Sequence, residues 1–442
     1  MMVPAGLSPG HIGTVCYVNA RLFDPGQKLD TKGGIRVTNG IINSLGAKIT
    51  AKSRPANEQI VDCKGCLLMP GLVDMRVFAG EPGFEYKETL ATATESAAAG
   101  GVTTIITMPN TDPVIDDAAL VDFVLRRARD TGVVRVAPMA ALTKGLNGKE
   151  MTEFGLLREA GAVAVTDGTQ SVANARVLRR AMAYARDFGL PIVQHAEDAD
   201  LALNGVMNEG ELSTRLGLPG IPAMAELVVL ERDLRLVELT GAAYHAAQIS
   251  CRASVEAVRT AKKNGLPVTC GVSINHLSLN ENDIGSYRTF FKLSPPLRSE
   301  EDRKALVDGV ADGTIDVIVS GHDPENPDTK RLTFDEAAFG AIGLETLLAA
   351  AHGLHLNEGI PLETLITAMT RTPAQILNLE AGALTEGAPA DFCLFDEKIS
   401  WAVEEWGLKS KSNNTPFEDR LMQGRVMRTV VAGQTAYELD GT

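Results

Sequence analysis

From residue 70 to about residue 370 the chain repeats one unit, a short apolar run followed by a loop and a helical pattern, and this rhythm narrows the possible folds most. The apolar runs fall at 72–78, 101–108, 134–139, 162–165, 191–194, 242–249, 267–272 and 315–319. Helix-period segments such as 117–131, 176–188 and 254–264 lie between them. Strands that are apolar on both faces and alternate with helices belong in a parallel sheet covered by helices, and eight of them close into a (β/α)8 barrel. The α/β class follows, and functional side chains are expected at the C-terminal strand ends.

Both ends of the chain read differently. Residues 14–68 carry short β-rich runs punctuated by Asp24-Pro25-Gly26 and Asn39-Gly40, the second a hairpin signal because both residues tolerate positive φ. Residues 382–396 return to alternation with Gly and Pro turns, and 425–436 reads as another hairpin. One small β-sandwich built from both termini is expected, with 1–68 and 373–442 forming it and 69–372 forming the barrel.

Composition sets outer limits. With 442 residues and 45% hydrophobic content the chain can bury a full core, and its net charge of −14 leaves no basic surface for nucleic acid or anionic lipid. No apolar run reaches the roughly 18 residues of a membrane span. The stretch MMVPAGLSPGHIGTV lacks the charged and apolar regions of a signal peptide, so a cytoplasmic location is expected. Cys63-Lys-Gly-Cys66 has no second pair to complete a zinc site and reads as a turn.

The segment 70–83, PGLVDMRVFAGEPG, enters the barrel as its first strand. It resembles the first barrel strand of the cyclic amidohydrolases, and of dihydroorotase in particular, where PGLxDxHxHxREPG carries two zinc-binding histidines. Pro70, Gly71, Leu72, Asp74, Glu81, Pro82 and Gly83 match that frame. MPNTDPVID (108–116), NGVMNEGE (204–211), RLGLPGIPAMAE (215–226), PPLRSEEDR (295–303), DGTID (312–316), GLETLLA (343–349), TPAQILNL (372–379) and EGAPADFCLFD extend the likeness over almost the whole chain. The resemblance implies a TIM barrel of the metal-dependent hydrolase type.

The residues that the family's chemistry uses are largely exchanged. The two histidine positions hold Arg76 and Phe78, and the substrate-binding arginine position holds Gly80. Arginine is a permanent cation and phenylalanine has no lone pair, so neither can ligate zinc. In the segment resembling HxxHxS, His245 is kept and Gln248 replaces the second histidine; in the segment resembling DHAPH, Gly321 replaces the aspartate that moves the proton, and Glu325 replaces a substrate-contacting histidine. Asp167 and His195 match metal ligands of the family, and Asn110 and His322 match residues of its substrate pocket. Arg76 is expected to pair with Asp167, His245 to be a hydrogen-bonded core residue, and the acidic Glu325 to disfavour a carboxylate ligand.

These losses imply a catalytically degenerate dihydroorotase-like subunit with no metal. Its implied partner is the catalytic subunit of aspartate transcarbamoylase, in a homo- or hetero-oligomer, serving pyrimidine synthesis. The competing expectation is an active dihydroorotase, opening and closing a cyclic amide, whose atypical site holds one zinc through His195, Asp167 and His322 or dispenses with metal. A free-standing scaffold of the hydantoinase-like kind is a third reading.

Overall fold

The computed structural model describes residues 13–51 and 58–439. The N-terminal stretch read above for a leader lies outside them through residue 12. The barrel strands, labelled in chain order, are β1 (Leu72–Val77), β2 (Val102–Thr107), β3 (Arg135–Pro138, continued as Ala140–Ala141), β4 (Val165–Thr166), β5 (Ile192–Gln194), β6 (Tyr244–Ala246), β7 (Val268–Ser273) and β8 (Val317–Val319). Neighbours pair in parallel in that order. The ring closes where Val77 bridges His322 and the Phe78 N–H donates to the His322 carbonyl at 2.9 Å.

Helices form where the apolar spacing and a capping side chain coincide. The Asp117 carboxylate accepts from the Leu120 N–H and starts Ala118–Thr131, and Asn174 starts Ala175–Phe188 in the same way. Their buried faces cover the outer side of the strands. Val73, Met75, Ile106, Ala137, Val163, Val193, Ala247 and Val317 fill the barrel interior with side chains from many strands. Ala374, Leu377 and Leu379 pack into that same cluster, so the barrel's interior draws on residues beyond 372.

The ends of the chain build one eight-stranded sheet. Thr14–Asp24 lies at its centre, between Leu29–Thr38 and Leu67–Pro70, and Phe392–Ala402 pairs with Leu67–Pro70 from the far end of the sequence. Asn39 and Gly40 both take positive φ, at 50° and 79°, and turn the chain into Ile41–Gly46. Leu29–Thr38 starts earlier than its apolar run predicts, because its polar first half pairs with Ala20–Asp24. The fold is the barrel with its β-sandwich.

The chain leaves the sheet and enters β1 at Gly71, where a Cβ would stand 2.1 Å from the Thr103 side chain. Beside this passage Arg135 donates from Nε to Asp391 at 2.5 Å and from Nη2 at 3.2 Å, a buried ion pair joining β3 to the sandwich. Cys63 and Cys66 form a turn through a 2.8 Å backbone hydrogen bond, and both thiols are free. No helix among the described residues is long and apolar enough to cross a membrane.

Candidate active site

A cavity of about 390 Å³ opens at the C-terminal strand ends, lined among others by Phe78, Phe84, Lys87, Asn110, Asp323 and Glu325. The loop after β1 shapes one wall. At Gly80, with φ of +69°, a Cβ would lie 2.3 Å from the Glu88 carbonyl, so the turn that holds this wall excludes an arginine there. Glu81 fastens the turn, accepting from Arg127 Nε at 2.5 Å and from the Leu90 N–H at 3.0 Å. The Asp112 N–H donates to the Pro82 carbonyl at 3.1 Å, docking the MPNTDP loop against the EPG loop.

The floor is Arg76. It is 6% exposed, and its backbone N–H donates to Asp74 Oδ1 at 3.1 Å; among the described residues its guanidinium has no hydrogen-bond or ion-pair partner. Burial lowers its affinity for a proton, with the charges of Asp323 and Asp74 opposing. The expected pair with Asp167 does not form. That carboxylate accepts from the Thr143 N–H at 2.8 Å and from its hydroxyl at 2.5 Å, and burial raises its pKa. Thr143 satisfies locally a group that the sequence assigned to Arg76. Strict alternation along β1 also breaks, since its register against β2 shifts between Asp74 and Val77.

His195 stands at the end of β5 with neither ring nitrogen hydrogen-bonded, and burial together with the Arg76 charge pushes its pKa down to about 3. It is therefore a neutral imidazole. Asn110 lines the cavity, and its buried Oδ1 lacks a partner. His322 does not line the cavity: it is buried behind it, its Nε2 3.5 Å from Glu88 Oε2 and its Nδ1 accepting from the Gly343 N–H at 3.4 Å. That second bond places the proton on Nε2, toward the carboxylate.

Glu325 does not stand as a bare negative charge. Its Oε1 accepts from Lys87 Nζ at 2.7 Å, and Lys87 also lies 5.9 Å and 5.6 Å from the Phe78 and Phe84 ring centres. The expectation that Glu325 repels a carboxylate is thus corrected by a lysine 238 positions away in sequence, whose remaining ammonium donors face the same cavity. Lys87 lies four residues after Gly83 of the EPG turn, in FEYKET, and that nearness is the one signal that could have found it.

Gly321 has a backbone reason. Its φ is +66°, and a Cβ would lie 2.6 Å from Ser273 Oγ and 3.4 Å from Gln248 Nε2. An aspartate there meets both a left-handed backbone and the β7 side chain. Gln248 and Ser273 thus crowd the place where the family pattern has its acid. Asp323, two residues on, lines the cavity, and its charge acts on Arg76.

Zinc does not fit this residue set. Among the described residues no group of three or more His, Cys, Asp or Glu side chains is placed to hold a metal ion, and the charge of the buried Arg76 guanidinium acts on His195, which matches a family ligand. Several of the matching motifs serve the walls instead. Arg298 donates to Asn208 Oδ1 at 2.9 Å, to the Ile221 carbonyl at 2.6 Å and to Ser250 Oγ at 3.1 Å, while Glu226 accepts from the Ser250 N–H at 3.0 Å. One buried network therefore joins the motifs at 204–211, 215–226 and 295–303 to the loop after β6.

His245 is a core residue, its Nδ1 2.8 Å from Thr269 Oγ1, and burial pushes its pKa down to about 3. Below its ordinary pKa near 6.5 the unfolded chain binds a proton at this position that the folded chain refuses, so this contribution is lost as pH falls. His245→Gln is expected to gain stability relative to the parent by about 1.4 kcal/mol per pH unit between pH 6 and 4. Denaturant melts of both proteins at pH 7, 6 and 5 check this, and parallel curves would refute it.

A closed parallel barrel with a site at its C-terminal strand ends, beside a sheet assembled from both termini, defines the cyclic amidohydrolase class. A family model described as Dihydro-orotase-like matches residues 65–254. The curated dihydroorotase of Pelobacter propionicus is 43% identical over 419 residues, 95% of this chain and 98% of that protein. That of Desulforapulum autotrophicum is 42% identical over 96% of this chain and 99% of its own. The chain belongs to the dihydroorotase family. Among solved structures, the L-hydantoinase (dihydropyrimidinase) from Arthrobacter aurescens superposes with a TM-score of 0.86 at 25% identity, covering 97% of this chain and 96% of that one. Dihydropyrimidinase from Brevibacillus agri shares the fold, with a TM-score of 0.81 at 18% identity over 96% and 94% of the two chains. The name carried by relatives this similar over their whole length overturns the expectation of a non-catalytic subunit.

Proposed function

We propose that the chain is a dihydroorotase, interconverting dihydroorotate and N-carbamoyl-aspartate at the barrel mouth on a site that is not built around histidine-bound metal. Full-length identity of 40–43% to curated dihydroorotases carries this reading. The cavity at the strand ends supports it with groups of the right kinds. In the opening direction one water adds to the ring amide carbon, the C–N bond breaks, the nitrogen takes one of the water's protons, and the new acid gives up the other to solvent as it becomes a carboxylate.

Arg76 supplies fixed positive charge where the carbonyl oxygen becomes negative. Its free N–H donors can approach that oxygen without first giving up a protein partner. Asp323 is the carboxylate placed to take the proton of the attacking water and pass it to the leaving nitrogen. Lys87 holds the carboxylate already present on the ring, in the role that Gly80 cannot fill. Phe78, Phe84 and Phe339 line the space that receives the ring.

Ring opening by the full chain, purified in a chelator and followed by loss of dihydroorotate absorbance, tests the proposal. Turnover above the buffer rate is expected, reduced about 10²-fold to 10⁴-fold in Asp323→Asn. No turnover in either direction, with the protein folded, overturns the reading.

A further inference from the structure

Resting on that reading of the site, we infer that Arg76 makes the cavity a receptor for the carboxylate that ring opening creates, so that it prefers the doubly negative open ureido acid to its amide or cyclic forms. The inference starts from an unanswered charge. Arg76 is 6% exposed, its Nε is buried with no hydrogen-bond partner, and no carboxylate among the described residues forms an ion pair with it. Asp74, the acid beside it in the chain, spends its oxygens on the Arg76 and Ser320 N–H groups, each at 3.1 Å.

Taking a guanidinium out of water without a counter-charge is costly, and proteins normally pair it. The groups around Arg76 do not supply one. His195, whose imidazole feels the Arg76 charge, is neutral, and Asp167, the expected partner, is held by Thr143. Asp323 acts on Arg76 through its field alone, without a contact ion pair. What is missing is an anion from outside, with two coplanar oxygens to match the planar fork.

The two forms of the proposed substrate differ in this respect. The ring carries one carboxylate, which Lys87 takes near the mouth, and it presents a neutral carbonyl to the floor. The open form carries the same carboxylate and a second one, made from that carbonyl and therefore left beside Arg76. Where a metal site would bind a carbonyl oxygen and release a product, a permanent guanidinium binds the product's new carboxylate through two charge-assisted hydrogen bonds.

The test uses two open-chain compounds that differ only at this group: N-carbamoyl-aspartate and N-carbamoyl-asparagine, its side-chain amide. Calorimetric titration of the full chain is expected to show the carboxylate form binding at least about tenfold tighter than the amide. In Arg76→Met that difference is expected to fall below twofold, and in Arg76→Lys to shrink without vanishing, since an ammonium keeps the charge and loses the fork. Equal affinities in the parent protein overturn the inference, as does a preference that survives Arg76→Met. Should Arg76→Met not fold, the parent comparison and Arg76→Lys decide alone. Turnover of dihydroorotate is read separately: discrimination without turnover sinks the proposed activity and leaves the receptor, whereas turnover with equal affinities does the reverse.

Discussion

Arg76→Met is expected to lose ring opening by about 10² to 10³-fold, the usual effect of removing a preorganised donor from a developing oxyanion, while making the fold more stable. The two effects share one cause. The guanidinium is buried among His195, His276, Asp74 and Asp323 with no partner for its N–H groups, so the folded chain bears the cost of its desolvation in full. Methionine has a similar length and fills irregular space without a charge. Replacing buried charge with packed apolar atoms typically stabilises by about 1 to 4 kcal/mol. Chemical unfolding of both proteins at neutral pH, alongside the ring-opening assay, separates the outcomes. A variant that is less stable than its parent means that the guanidinium is satisfied in the folded state, and a variant of undiminished activity means that it does not meet the reacting carbonyl.

The barrel was legible because its signal is local. A run such as 162–165, AVAV, is apolar on both faces, and only a strand covered on both sides needs that. Asn39-Gly40 announced its hairpin by the backbone conformations these residues tolerate. The positions of the site were legible from the resemblance, but their environment was not. Which residue answers Asp167 depends on Thr143, which answers Glu325 depends on Lys87, and which crowds Gly321 depends on Ser273. Each of these partners sits on another strand or loop, and no periodicity in the chain points to it. The step from absent histidines to an absent activity failed for a related reason: missing ligands say what a site does not contain, and leave open what the new residues do there. Arg76 was expected to pair with Asp167, and the structure leaves its buried Nε without a partner.

Asp391→Ala is expected to cost about 3 to 5 kcal/mol of unfolding free energy, the range for breaking a buried ion pair from one side. Arg135 and Asp391 are each 5% exposed, and they join β3 to the sandwich through bonds of 2.5 Å and 3.2 Å. The same carboxylate accepts from the Ala432 N–H at 2.7 Å, and the Asp391 carbonyl accepts from the Gly71 N–H at 3.1 Å, at the point where the chain crosses into β1. Alanine leaves Arg135 charged and dry, and it also orphans the Ala432 N–H. The double variant Arg135→Met, Asp391→Leu should recover most of the loss, because it removes the stranded cation and fills the space with apolar atoms. That recovery distinguishes an uncompensated charge from simple loss of packing: if the double variant is no more stable than Asp391→Ala, the ion pair is not what fastens the sandwich to the barrel. Since this joint lies at the N-terminal end of β3, away from Lys87 and Asp323, the double variant should also open dihydroorotate at the parental rate.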